Sequence, residues 1–243
     1  IREILTGSPV LSVLGGLYMI LFFFLALAAF LLTHILLIGR YYRNFFTAEG
    51  YLVHTLPAGP GSKLLAKCLN HLVWSLINLA CVLSAVMLVS SAVPSEGQWK
   101  SFLEALPRAA ESMGFSSVPV MLLTVLGMLL LMLFTSILMF YAAISLGSLF
   151  PSHRILGSVL CWLGLWIANQ IVNVVIMVSA FGRYAGLEGT VTEAGGIQVT
   201  LPPSQVTEIF GLFLGTAAAV TAVMGTAYYL ISYFVLSKRL NLQ

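Results

Sequence analysis

The hydrophobic residues of this chain fall into five long runs, which short polar and turn-forming stretches separate. None of the runs contains Asp, Glu, Lys or Arg, and they cover residues 10–38, 68–93, 118–150, 155–180 and 209–236. A helix needs about 20 mainly apolar residues to cross the hydrocarbon core of a bilayer. The pattern therefore predicts an all-α polytopic membrane protein with five transmembrane helices. The first and third runs exceed one crossing, so their helices should tilt or extend past the bilayer.

The stretches between the runs are short, so residues 1–243 are predicted to form a single transmembrane domain. The loop 94–117 has the i, i+3, i+4, i+7 spacing of an amphipathic helix, carried by Trp99, Phe102, Leu103 and Leu106. In the loop 181–208, residues 190–192 and 197–201 alternate around a Gly-Gly pair, which indicates a small β-hairpin. A solvated loop fits that second stretch nearly as well.

Composition supports a protein that is embedded in lipid. Hydrophobic residues make up 60% of the chain and charged residues 8%, whereas a soluble domain carries about 25% charged residues. The net charge of +3 comes from basic residues spread along the chain, which does not favour a nucleic-acid partner. The three cysteines lie in or beside apolar runs without metal-ligand spacing, and are interpreted as small buried hydrophobes: Cys68, Cys81 and Cys161.

The charged residues divide unevenly between the two sides of the predicted bundle. The loop 39–67, the turn 151–154 and the C-terminal tail together carry seven basic residues and one acid, Glu49, while the other side carries four basic and seven acidic residues. The positive-inside rule then places the first side and the C-terminus in the cytoplasm. Residue 1 is expected outside. Because no signal peptide is recognisable, one more span before Ile1 explains that start most simply.

The loop 39–67 carries the most specific pattern. On a helical wheel its residues 41–56 separate into two faces, which predicts an amphipathic helix lying against the membrane surface. The apolar face holds Phe45, Ala48, Leu52 and Leu56, and the opposite face holds Arg43, Thr47, Gly50 and His54. Turn-forming residues end this helix, namely Pro57, Gly59, Pro60 and Gly61.

Glu49 lies toward the apolar side of that predicted helix, where an unpaired carboxylate costs free energy. Two interpretations stay open. Glu49 either snorkels to headgroups or water, or it forms an ion pair within the protein or with a partner subunit.

This loop resembles the corresponding loop of ABC type-2 permeases, the exporter-type membrane subunits of ATP-binding-cassette transporters. The family has a glutamate followed by a small residue, then a Leu-Pro pair and a Lys before the next span. Here these are Glu49 with Gly50, Leu56 with Pro57, and Lys67. Glu49-Gly-Tyr-Leu52 followed by Thr55-Leu-Pro57 is similar to permeases of Gram-positive bacteria. The family has six spans with both ends cytoplasmic, so the five runs would match its spans two to six.

The resemblance implies a permease subunit in a bacterial plasma membrane, which exports a substrate by alternating access. It implies a dimer with an identical or paralogous permease subunit, surrounded by membrane lipids, and two copies of a separate ABC ATPase. The partner would bind ATP and magnesium, because this chain lacks the Gly-x-x-x-x-Gly-Lys-Ser/Thr motif and is not expected to be an enzyme. The residues expected to couple to the ATPase are Arg43, Thr47, Glu49, Gly50, His54, Pro57 and Lys67. Transporters with this architecture carry peptide antibiotics, drugs, lipids or ions.

Polar residues inside the runs form two groups, and each joins helices, lines a substrate path, or does both. His71, Ser75 and Asn78 share one face of the second run, and Asn169, Gln170 and Asn173 cluster in the fourth. The expected path residues are His71, Ser75, Asn78, Asn169 and Asn173. On the last run the spacing of Gly211, Gly215 and Ala219 predicts close helix packing, either within the chain or across a dimer.

No run contains a carboxylate, which disfavours catalysis by paired acids and also an ion-driven carrier. A secondary carrier or channel of another helical fold remains an alternative. A membrane scaffold without transport activity is a third possibility.

Overall fold

The computed structural model describes residues 9–47, 49–55, 57–92, 98–150, 153–182, 190–191, 197–198 and 203–238. Seven helices and two short strands lie in these ranges. The helices are α1 Pro9–Phe46, α2 Gly50–Thr55, α3 Pro60–Ala92, α4 Gln98–Ser112, α5 Val118–Gly147, α6 Arg154–Gly182 and α7 Pro203–Lys238. The strands are β1 Thr190–Val191 and β2 Ile197–Gln198.

Five of the helices, α1, α3, α5, α6 and α7, are long and apolar enough to cross a membrane. This confirms the helical prediction, and it follows from the lack of water in hydrocarbon, where a helix satisfies its own backbone groups. With 38 residues, α1 is about 57 Å long, which exceeds the roughly 30 Å hydrocarbon core. It therefore extends beyond its apolar run and includes Arg40 and Arg43.

The described chain separates into two compact units, one within Ile1–Trp99 and one within Lys100–Arg239. In the first unit α1 and α3 pack against each other. Their buried residues recur at spacings of three or four, which places them on one face of each helix. Residues 64, 68, 71 and 75 form this face on α3, and residues 37, 41 and 45 form it on α1. We call this contact the α1–α3 seam. The prediction of one transmembrane domain over 1–243 stays a prediction.

In the second unit α5 packs against both α6 and α7. The C-terminal half of α5 is buried on nearly all sides, from Thr135 to Gly147. At its end a Cβ on Gly147 would overlap the backbone and hydroxyl of Ser158 on α6. The absence of a side chain at residue 147 thus allows α5 and α6 to approach closely.

The small-residue face predicted on the last run is not the face that α7 uses in this unit. Gly211 and Gly215 are exposed, and a Cβ added to either would meet nothing within 4 Å. The buried face lies nearer the C-terminus and includes Gly225, Tyr228 and Ser232. There Thr135 of α5 donates a hydrogen bond to the carbonyl of residue 221, at 3.3 Å. Whether this stripe packs elsewhere within the chain or across a dimer stays a prediction.

The two outer-loop predictions agree with the structure where it describes them. The amphipathic spacing in 94–117 corresponds to α4, on which Phe102 and Leu103 are exposed. Strands β1 and β2 pair antiparallel, with Thr190 opposite Gln198 and Val191 opposite Ile197. The other residues of the predicted hairpin lie outside the described ranges.

The prediction of one amphipathic helix over 41–56 is wrong. Residues up to Phe46 continue α1, and Gly50–Thr55 forms the separate helix α2. Phe45 is buried whereas Leu52 is exposed, so these two members of the predicted apolar face do not share a face. The aromatic side chains of Tyr41, Phe45 and Phe46 are buried at the end of α1, and burial of apolar area stabilises this continuation of the helix. The remaining predicted members, Ala48 and Leu56, lie outside the described residues.

Candidate functional site at the turn between α1 and α3

An ion pair crosses the turn after α1. The Arg43 guanidinium donates to a Glu49 carboxylate oxygen at 2.5 Å, and both side chains are more than half exposed. Residues six apart on a continuous helix lie on different faces, so this contact requires the chain to turn between them. The ion-pair interpretation of Glu49 is therefore correct within the chain, and its partner lies in the same loop.

Backbone hydrogen bonds shape this turn. The Thr47 hydroxyl donates to the Arg43 carbonyl at 2.6 Å, and the Gly50 N–H donates to the Thr47 carbonyl at 2.8 Å. Gly50 is buried against the last turn of α1, where a Cβ would lie 3.1 Å from the carbonyl carbon and oxygen of Phe45. A side chain at residue 50 would push α2 away from α1, so glycine suits this close approach.

An aromatic cluster supports the turn from below, and sequence reasoning did not identify it. The Tyr41 ring lies 5.1 Å from the Phe45 ring and 6.0 Å from the Phe46 ring, between centroids. These three side chains are buried, as are Leu64 and Cys68 of α3. Tyr41 and Phe45 follow Leu37 at intervals of four residues, which continues the buried face of α1 and is the signal that could have revealed the cluster.

The outer surface of the turn is formed by α2. Tyr51 is 65% exposed and Leu52 is 72% exposed, which leaves two large apolar side chains uncovered beside the ion pair. His54 is in α2, but its side chain lies outside the described residues. Pro57 is exposed in the turn before α3, and Lys67 is half-buried on the second turn of α3. The structure thus brings Arg43, Thr47, Glu49 and Gly50 into contact, with Pro57 and Lys67 further along the chain.

The second group of predicted residues lies in the α1–α3 seam. His71 and Ser75 are fully buried, and the Ser75 hydroxyl donates to the His71 carbonyl at 2.8 Å. The His71 ring lies 5.2 Å from the ring of His34 on α1, between centroids, and meets it edge to face. His34 in turn lies 4.3 Å from the Phe30 ring, and its Nδ1 is 3.2 Å from the Phe30 carbonyl.

Asn78 joins the same two helices. Its amide donates to the Thr33 hydroxyl at 2.6 Å and to the Ala29 carbonyl at 3.2 Å. Asn78 therefore takes part in interhelical hydrogen bonds, while its expected place on a substrate path stays a prediction. The partners His34 and Thr33 were not predicted, but His34 lies five residues before the loop 39–67 and His71 lies four residues after it. Residues equally distant from a loop meet in an antiparallel helix pair, so this spacing could have identified them.

The two asparagines of α6 belong to the other unit. Asn169 is half-buried and Asn173 is exposed, and within the described ranges neither side chain makes a hydrogen bond. A path that combines them with the α1–α3 seam stays a prediction.

The described residues hold no group of three or more His, Cys, Asp or Glu that could bind a metal ion. Two polar atoms of the second unit are buried without a hydrogen-bond partner among the described residues, the indole N–H of Trp162 and the hydroxyl of Tyr228. The Trp162 ring stacks on Phe140 at 5.9 Å.

The fold and these polar contacts define the class of protein: a multi-pass α-helical membrane protein with a structured turn between its first two long helices. No family model, curated protein or solved structure matches this chain.

Proposed function

We propose that this chain is the membrane-spanning permease subunit of an ABC exporter, and that the turn between α1 and α3 receives the motion of a separate ATPase. The observation that carries this proposal is the pairing of Arg43 with Glu49 at a turn whose residues resemble those of ABC type-2 permeases. The subunit would work in a bacterial plasma membrane, with its C-terminus in the cytoplasm, beside a second permease subunit.

The packing of the turn supports a mechanical role. Gly50 rests on the last turn of α1, and the aromatic cluster of Tyr41, Phe45 and Phe46 is buried beneath the turn. A push on α2 would therefore reach α1 directly and displace it relative to α3. Alternating access needs such a displacement of packed helices. ATP closure in the partner would supply the energy, which agrees with the lack of any acidic residue in the five apolar runs.

The exposed side chains of Tyr51 and Leu52 offer the contact surface for the ATPase. Large exposed apolar side chains beside a charged pair are typical of protein interfaces, where aromatic residues contribute much of the binding free energy. The proposed contact with the ATPase therefore lies on α2. Arg43 would also orient the turn through its ion pair with Glu49, and its expected contact with the partner stays a prediction.

Co-purification from native membranes tests the proposal. The tagged chain should recover an ABC ATPase in stoichiometric amount, and the complex should hydrolyse ATP. The double variant Tyr51→Ala with Leu52→Ala should insert normally and recover much less ATPase. Phe102→Ala on α4 is the matched control, because it also removes an exposed large apolar side chain, and it should leave recovery unchanged. Recovery of no ATPase with the wild-type chain would refute the proposal.

A further inference from the structure

The short helix α4 has two different faces. At about 100° per residue, its charged side chains fall within an arc of about 80°, and all of them are exposed: Lys100, Glu104, Arg108 and Glu111. The opposite side carries apolar residues, namely Phe102, Leu103, Leu106, Ala109 and Ala110, with Met113 directly after the helix. Such a division is typical of a helix that lies at a boundary between water and an apolar phase.

A tight turn fixes the direction in which α4 leaves α5. Gly114 adopts a left-handed backbone conformation, with a φ of 81°. Its N–H donates to the Glu111 carbonyl at 3.0 Å, and the Phe115 N–H donates to the Ala110 carbonyl at 2.8 Å. These two bonds close the helix as a Schellman motif, whose left-handed position favours glycine. Only three residues separate Gly114 from the start of α5.

Contacts with α7 hold this turn in place. The Phe115 ring meets the Phe210 ring edge to face, with 6.2 Å between their centroids. Thr207 of α7 lies so close to Gly114 that a Cβ added there would overlap the threonine methyl group. Ala110 is buried as well. The C-terminal end of α4 is therefore attached to the protein near the start of both α5 and α7.

The N-terminal part of the apolar face remains accessible in the part of the chain that the structure describes. Leu103 is 47% exposed, and Phe102 and Met113 are exposed too. The first turns of α5 also expose large apolar side chains, Leu122 and Leu123, as a span that faces lipid does. Because a fixed turn joins α4 to the start of this span, α4 lies at the level where the chain enters the bilayer.

We propose that α4 is an interfacial helix, whose apolar face docks on the lipids at the bilayer surface beside α5 and α7. A helix of this kind sinks about 5–10 Å into the boundary between headgroups and acyl chains. Phe102, Leu103 and Met113 contact the acyl chains, while the charged side chains stay in water. This docking fixes the depth at which α5 enters the bilayer.

The docking does not require charged lipids. The charged face of α4 has two basic and two acidic side chains, so it gives no net attraction to an anionic surface, and binding depends on the apolar area that leaves water. Zwitterionic phosphatidylcholine therefore suffices. The docking also occurs whether or not an ATPase binds α2.

Fluorescence quenching in phosphatidylcholine vesicles tests this docking. Bimane is attached to Leu103→Cys or to Glu104→Cys in the full chain without its native cysteines, and the lipids carry bromine near the headgroup end of their acyl chains. The two residues are neighbours on different faces, so the pair controls for position along the helix. Quenching should be at least about threefold stronger at residue 103, because that label lies about 5–10 Å deep.

Met113→Cys and Glu111→Cys form a second pair with the same expectation, and a label at Leu123 of α5 is the reference for insertion in the bilayer. Equal quenching at residues 103 and 104 would overturn the proposal. An unquenched label at residue 103, in vesicles where the label at residue 123 is quenched, would overturn it too.

Photocrosslinking gives a second measurement in a chain that keeps its native cysteines. A photoreactive phenylalanine analogue at residue 103 should form an adduct with radiolabelled phosphatidylcholine, and the same analogue at residue 104 should form several-fold less. An adduct at residue 103 with a second copy of the chain in place of lipid would contradict docking on the bilayer.

Discussion

At the residue scale, the central contact is the ion pair between Arg43 and Glu49. The pair is exposed, so it adds little to stability, and its value lies in fixing the direction in which α2 leaves α1. We expect Glu49→Gln and Arg43→Glu each to reduce ATP hydrolysis that is coupled to transport, while the chain still inserts in the membrane. The exchanged double variant, Arg43→Glu with Glu49→Arg, should recover much of the loss.

The exchanged double variant distinguishes two roles of the ion pair, namely orientation of the turn and direct contact with the ATPase. If Arg43 and Glu49 act on each other, the exchange restores the contact; if either binds the ATPase directly, the exchange leaves two mismatched charges. Full coupling in both single variants would remove the ion pair from the mechanism.

Gly50 and Gly59 form a matched pair of glycines in the same loop. A Cβ at residue 50 would lie 3.1 Å from backbone atoms of Phe45, whereas one at residue 59 would meet nothing within 4 Å. Gly50→Ala should therefore destabilise the chain by about 1–3 kcal/mol through overpacking. Gly59→Ala should change stability little. Thermal unfolding in detergent micelles measures both, and equal stability of the two variants would show that α2 does not rest on α1.

At the element scale, Asn78 joins α1 and α3 through two hydrogen bonds. Asn78→Ala should cost about 0.5–2 kcal/mol, since hydrogen bonds between helices in membranes are individually modest. The control is Asn173→Ala on α6, whose side chain is exposed and should contribute nothing to unfolding. The unfolding midpoints of both variants measure this difference in stability. A change in transport with no change in stability for Asn78→Ala would instead indicate a substrate path.

The five long helices could be predicted well, because a helix satisfies its own backbone hydrogen bonds when a long apolar run lies in hydrocarbon. The residues at which the helices end could not be predicted. Arg40 follows the first apolar run and Lys63 precedes the second, yet Arg40 lies within α1 and Lys63 within α3, since a helix continues into water where side chains still pack. Contacts of Arg43, Glu49 and Gly50 determine the turn after α1. A helical wheel assumes one continuous helix, so it cannot show these contacts.

At the scale of the whole molecule, the charge asymmetry predicts which ends of the helices face the cytoplasm. In a chain without its native cysteines, single cysteines at residues 43, 154 and 238 should be shielded from an impermeant thiol reagent in intact cells. A cysteine at Glu104 of α4 should react. Opening the cells should expose the first three sites. If residues 104 and 154 react from the same side, the arrangement of five spans is wrong.

The candidate site was predicted in part. The sequence directed attention to the loop 39–67 and to Glu49, and the structure places Arg43, Thr47, Glu49 and Gly50 together there. It could not show that Glu49 pairs within the loop, or that Tyr51 and Leu52 form the exposed surface, because exposure depends on how α2 packs. The contact of His34 with His71 could not be predicted either, because it depends on the pairing of two distant helices.

Site-specific photocrosslinking at Leu52 tests the central claim most directly. A photoreactive phenylalanine analogue at residue 52 should form an adduct with an ABC ATPase in native membranes, and the adduct should increase when ATP is trapped in the ATPase. The same analogue at Phe102, which is also exposed on a helix outside the apolar runs, should form no such adduct. An adduct at residue 52 with lipid alone, in membranes that contain the ATPase, would contradict a coupling role for this turn.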